Sequence, residues 1–137
     1  MKDYILVKDS EESMSETGFV ADFWTQRWQE IGMKAEVVLS SASRVPLAQE
    51  YKLMSRLLRE SSRILDGACG FGDWTVFLSN KGNNVTGIDI SEPVINSLKN
   101  NFPRLDFRVA DLRAMPFRDE EFGVVFSWGP LNILRKD

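Results

Sequence analysis

Asp66-Gly67-Ala68-Cys69-Gly70-Phe71-Gly72 stands between two runs of different character. Before it comes Arg63-Ile64-Leu65, short and apolar, as a buried strand would be. After it, Trp74, Phe77 and Leu78 recur at helical spacing up to Lys81-Gly82, a plausible helix stop. A glycine-rich turn from a strand into a helix lets the backbone bend sharply and come close to a ligand. The helix N-terminus beside it offers unpaired amides. The glycines fall at i, i+3 and i+5, whereas the dinucleotide fingerprint wants i, i+2 and i+5. The turn also lacks the lysine of a phosphate-binding P-loop.

The alternation continues downstream. Val85-Thr86-Gly87-Ile88-Asp89 reads as a second strand. Ser91 is placed to cap a helix with Pro93 in its first turn and Val94, Ile95 and Leu98 on one face. Phe107 to Ala110 reads as a third strand and Phe122 to Trp128 as a fourth. Strands alternating with helices imply a parallel sheet with right-handed crossovers. Asp66, Asp89 and Asp111 then fall at the carboxyl ends of strands, where open parallel sheets bind ligands. An aspartate after the second strand suits ribose hydroxyls, and one after the third can accept from the amine of an adenine.

Upstream, residues 1–16 are polar and acidic and read as a mobile tail. Phe19, Val20, Phe23, Trp24, Trp28 and Ile31 give a helix stopping at Gly32, and Ser40 to Arg44 reads as a loop. Pro46 opens a second helix with Leu47, Tyr51, Met54, Leu57 and Leu58 on one face. The expected division is therefore a tail (1–16), a helical segment (17–62) and a core (63–137). Trp24 and Trp28 admit two readings: an amphipathic helix packed on the sheet, or a lid with an aromatic face toward a ligand. Arg44 and Tyr51 could reach the same ligand or lie on the surface.

Composition narrows the chemistry. The chain has 137 residues, 43% hydrophobic and 27% charged, with a net charge of −3. That is the balance of one soluble domain and argues against a broad grip on nucleic acid or anionic membrane. A single cysteine, Cys69, excludes an intrachain disulfide and suits a reducing cytoplasm. The count of histidines is zero, which removes Ser-His-Asp and Cys-His schemes and most zinc sites. No metal is expected. Chemistry must run on carboxylates, on positioning, or on a cofactor with its own reactive centre.

Four stretches together resemble class I, Rossmann-like S-adenosylmethionine (SAM) dependent methyltransferases, in particular the small-molecule methyltransferase-like group. They are Ile64 to Gly72, Val85 to Ser91, Ala110-Asp111-Leu112 to Pro116-Phe117, and Phe122 to Ser127. The resemblance implies a three-layer α/β sandwich, strand order 3-2-1-4, with SAM as cofactor and a small-molecule acceptor. It implies that Gly67, Ala68, Cys69, Gly70 and Gly72 wrap the methionine and ribose portion, with Asp66 shaping the loop near the amino group. Asp89 would take the ribose hydroxyls, Ile90 the adenine face, and Asp111 and Leu112 the adenine edge. Ser127 and Trp128 would lie near the sulfonium and the substrate. Cys69 reads as a small side chain in a tight loop, and no catalytic base can be named.

A complete domain of this kind has seven strands, and nine residues follow Trp128. The expectation is a C-terminally truncated fold whose fourth strand, apolar on both faces, leaves an open edge, giving a homodimer through that strand or the neighbouring helix face unless the last nine residues fold back over it. Two alternatives stay open: a NAD-dependent oxidoreductase half-domain, and a non-catalytic nucleotide-binding or oligomerisation module.

Overall fold

In the computed structural model, which describes residues 16–58 and 63–128, Ile64 and Leu65 are shielded from solvent at the centre of a parallel sheet. Strand β1 (Arg63–Gly67) pairs with β2 (Asn84–Asp89) on one side and with β4 (Val124–Phe126) on the other. β3 (Asp106–Val109) extends the sheet beyond β2. The strands are all parallel, as the alternating pattern implies, and their order is β3-β2-β1-β4, as the resemblance implies.

Successive residues of a strand point to opposite faces. Ile64, Asp66, Val85, Gly87 and Phe107 therefore share one face, and Leu65, Thr86, Ile88 and Arg108 the other. The crossover helices α4 (Asp73–Asn80) and α5 (Glu92–Asn101) cover the first face. Trp74 and Leu78 of α4 pack on Ile64 and Val85. Val94, Ile95 and Leu98 of α5 join Val76 and Phe107. Gly87 sets how closely α4 approaches: a Cβ placed there would lie 2.6 Å from Thr75 Oγ1 and 3.0 Å from the Phe107 ring. The segment 110–122 crosses the second face. There Phe117 and Phe122 meet edge to face, each beneath an arginine (Arg108 and Arg63, respectively), and Leu112 lies on Gly67.

Three helices precede the sheet: α1 (Glu16–Ile31), α2 (Ala35–Ala42) and α3 (Gln49–Ser55). Helix α1 stops where Gly32 takes a left-handed φ of 91°. Its neighbour α2 corrects the expectation of a loop from Ser40 to Arg44, since Ser40 and Ser41 are helical. Val38 and Ala42, one turn apart, bury against the core while the serines between them face outward or bond elsewhere. The single helix expected from Pro46 is instead a 3-10 turn (Val45–Leu47) followed by α3, with Ala48 extended between them. The expected apolar face is correspondingly incomplete. Tyr51, Met54 and Leu58 pack inward, while Leu47 and Leu57 are 77% and 69% exposed.

β4 is shorter than the sequence suggests, because only Val124 to Phe126 pair with β1. Nor is it covered on both faces: Phe126 packs on Trp74, while Val125 is 55% exposed. No described helix is long and apolar enough to cross a membrane. The expected tail lies almost wholly outside the described residues, as do the nine residues after Trp128.

Candidate cofactor site

The parallel register brings the carboxyl ends of all four strands to one edge. Gly67 lies beside Ile88, Asp66 beside Phe126, and Asp89 beside Val109. Ala110 N–H donates to the Asp89 carbonyl (3.0 Å), which sets Asp111 next to the end of β2. The residues singled out after each strand are thereby gathered along one rim.

The loop between β1 and α4 is built on left-handed residues in alternation: Ala68 (φ 58°), Gly70 (57°) and Gly72 (82°). The glycine spacing in the sequence hid this period, because an alanine fills its first place. Gly67, the first glycine of the motif, is needed for contact instead. A Cβ there would lie 2.7 Å from Leu112 Cδ1 and close to Ser127. Cys69 N–H donates to the Ile88 carbonyl (2.7 Å) and Gly72 N–H to the Cys69 carbonyl (3.0 Å), fastening the loop to β2.

Asp89 holds the loop at its middle. Its Oδ2 accepts from Gly70 N–H and its Oδ1 from Ser91 N–H, both at 3.0 Å, so one carboxylate joins the glycine loop to the start of α5. Burial pushes its carboxyl up, opposed by the amides of Ser91, Gly70 and Ile90. Each carboxylate oxygen can accept more than one hydrogen bond, so capacity for a ligand hydroxyl remains.

Asp66 is buried on the helix face, where it accepts from Thr75 Oγ1 at 2.7 Å. Burial pushes its carboxyl up to about 7; the Thr75 hydroxyl pulls the other way, and the charges of Asp73 and Asp89 add to the rise. Cys69 is buried beside these carboxylates, and its thiol is pushed well above the ordinary range by burial first and the charges of Asp66 and Asp89 second. A thiol held protonated is a poor nucleophile, in keeping with a small side chain in a tight loop.

Asp111 is engaged from the outside. Arg113 Nη2 donates to its Oδ2 at 2.8 Å and Arg113 N–H to its Oδ1 at 2.9 Å, and this arginine lowers its carboxyl. Ile90 is partly exposed on the same rim, and Trp128 is 58% exposed. Tyr51 is directed elsewhere, packing on Trp74 and Phe77 with its hydroxyl accepting from Lys81 at 2.7 Å. Arg44 is exposed.

The sequence did not reveal three features of the site. Thr75 holds Asp66. Ser41 of α2 donates to Asp73 Oδ2 (2.7 Å), tying α2 to the first turn of α4. And Thr25 of α1 hydrogen-bonds Ser91, docking that helix on the loop after β2. Spacing along one chain gives no sign of such partners, which lie up to 66 positions apart.

The residues present fit an adenosyl ligand bearing polar groups at both ends. Among the described residues three buried side-chain polar atoms have no hydrogen-bond partner, and two of them, Trp28 Nε1 and Ser127 Oγ, flank this loop. Ser127 stands by Gly67 and Trp28 by Gly70. Buried polar groups are ordinarily paired, so orphans beside a glycine cradle are what a polar ligand would satisfy. No described group of His, Cys, Asp and Glu could hold a metal ion.

Residues 64–137 match the family model described as a methyltransferase domain. YqeM of Bacillus subtilis (strain 168), named as a methyltransferase, is 37% identical over 98 residues, covering 68% of this chain and 39% of that protein. The ubiquinone/menaquinone biosynthesis C-methyltransferase UbiE of Campylobacter jejuni is 27% identical over 113 residues, covering 75% and 48%. The chain thus spans less than half the length of these relatives. A crystal structure of a TehB-like SAM-dependent methyltransferase from Corynebacterium glutamicum shares the fold, with a TM-score of 0.54 at 24% identity over 82% of this chain and 56% of that one. The chain belongs to the methyltransferase domain family and shares the Rossmann-like fold of that solved methyltransferase.

Proposed function

We propose that this chain binds SAM along the carboxyl rim of its sheet and forms the cofactor-binding part of an enzyme that methylates a small-molecule acceptor. The observation that carries the reading is Asp89, whose one carboxylate organises both the glycine loop and the start of α5 at that rim. In this reading Gly67, Ala68, Cys69, Gly70 and Gly72 surround the methionine and ribose, and Asp66 shapes the loop through Thr75. Asp89 takes the ribose hydroxyls, Ile90 faces the adenine, Asp111 and Leu112 hold its edge, and Ser127 and Trp128 border the reacting end. Residues 17–62 act as a helical cover and 63–137 as the cofactor core.

When bound, the cofactor supplies an electrophilic methyl group on a sulfonium. Transfer is an in-line displacement, so what the chain contributes is chiefly orientation and exclusion of water. That division suits a protein whose composition offers no histidine base. Asp89→Ala is expected to weaken SAM binding by about 1.5–3 kcal/mol, since a charged acceptor is lost. Calorimetric titration of the variant checks this, and an unchanged affinity would exclude Asp89 as the ribose ligand.

We further infer that the protein is cytoplasmic, in keeping with its single cysteine, and that it forms a homodimer. Val125 of β4 and Trp128 just after it are 55% and 58% exposed, which leaves apolar surface beside that strand. Exposed apolar surface of this kind favours pairing with a second copy, most simply about a twofold axis. Light scattering should give twice the chain mass of 15.6 kDa. A mass of 15.6 kDa at every concentration would rule the dimer out.

A further inference from the structure

Helix α1 carries an aromatic row that ends on the glycine loop. Phe23 meets Trp24 edge to face, Trp24 stacks on Trp28 with ring centroids 5.6 Å apart, and Trp28 leans on Phe71 at 5.3 Å. The Trp28 ring lies so close to Gly70 that a Cβ there would come within 2.5 Å of Cζ2. For packing alone an apolar ring would serve. Trp28 instead brings an indole N–H, which can only donate, and buries it with no acceptor among the described residues. An orphaned buried donor costs free energy.

The donor is also held in place. Thr25, one turn before Trp28, bonds Ser91; the Ser91 amide donates to Asp89; and Asp89 accepts from Gly70, on which Trp28 rests. α1 is thus fixed at two points to the loops that follow β1 and β2. We propose that Trp28 is a cofactor-binding residue in which α1 closes over the glycine loop and donates its indole N–H to an oxygen of the bound ligand. The inference rests on the cofactor reading above and adds to it a residue from outside the sheet. The acceptor is either the carboxylate of the amino-acid end or a ribose hydroxyl.

The test is Trp28→Phe, which keeps an aromatic ring on α1 but is three ring atoms smaller and removes the donor. Wild type and variant are titrated with S-adenosylhomocysteine and with 5′-methylthioadenosine, which keeps the ribose and lacks the carboxylate. The variant should bind S-adenosylhomocysteine about tenfold or more weakly, the size expected for a lost hydrogen bond to a charged or strongly polar oxygen. Loss with S-adenosylhomocysteine alone assigns the carboxylate, and equal loss with both ligands assigns the ribose. In the wild-type protein the Trp28 indole ¹H–¹⁵N resonance, identified by its disappearance in the variant, should move downfield on ligand addition. Affinity within twofold of wild type, or an indole resonance that does not move, overturns the proposal while leaving the cofactor reading intact. A wild type that binds neither ligand overturns both.

Discussion

Asp66→Asn should flatten a fall in stability that the wild-type protein shows between about pH 4 and pH 7. Asp66 has a folded-state pKa of about 7 against an ordinary 3.8, raised chiefly by burial. Across that interval the folded chain binds a proton that the unfolded chain has lost, so stability decreases as pH rises and levels off above about 7. With a shift of about three units, the full loss is on the order of 4 kcal/mol. Asp73 and Asp89 are raised as well and add to the same slope. Asp106 and Asp111 are lowered by their arginine partners, so what they contribute is lost only on acidification below their ordinary range. The introduced amide still accepts from Thr75 but buries a new N–H₂ group, at a cost of about 1–3 kcal/mol. The variant should therefore be more stable than wild type at pH 8 by about 1–3 kcal/mol and no more stable at pH 5. Urea unfolding across pH provides the check, and a wild-type slope that survives in Asp66→Asn would mean another group carries the proton.

Gly70→Ala should cost about 2–4 kcal/mol of stability, from left-handed backbone and overpacking together. Gly70 has a φ of 57°, and the methyl group would meet the Trp28 ring at 2.5 Å. These two parts separate in a double-mutant cycle. In a Trp28→Ala background the methyl has room, and the cost of Gly70→Ala should fall to about 1–2 kcal/mol for the backbone alone. Strict additivity of the two substitutions would show that the ring does not rest on the loop in solution.

Much of the fold was legible because a parallel sheet writes itself into the sequence. Ile64-Leu65 and Val85 to Ile88 are short runs without charge, each followed by a turn and a helix, and that alternation implies parallel strands, while the order β3-β2-β1-β4 comes from the resemblance. The helical segment was read less well for an equally physical reason. Ala35 to Ala42 has serines where a periodic face would carry larger residues, and its helix is held by Val38 and Ala42 against the core. The extended Ala48 between the 3-10 turn and α3 has no local signal at all.

At the site, the carboxyl-end aspartates could be found because position along a strand fixes which rim a residue reaches. What each aspartate does there could not. That Asp66 faces α4 and Asp89 bridges two loops depends on Thr75, Gly70 and Ser91 arriving from other elements. The left-handed period through Ala68 was masked by the alanine, and spacing along α1 gave no sign that the ring of Trp28 lies on Gly70.

Calorimetric titration of the wild-type chain with SAM, and separately with NAD, tests the central claim most directly. A Rossmann-like rim with an aspartate such as Asp89 can serve either ligand, and the glycine spacing and Asp111 favour the first. The account predicts saturable one-to-one heat with SAM, competed away by S-adenosylhomocysteine, and no heat with NAD. Binding of NAD without SAM, or of neither, would contradict it.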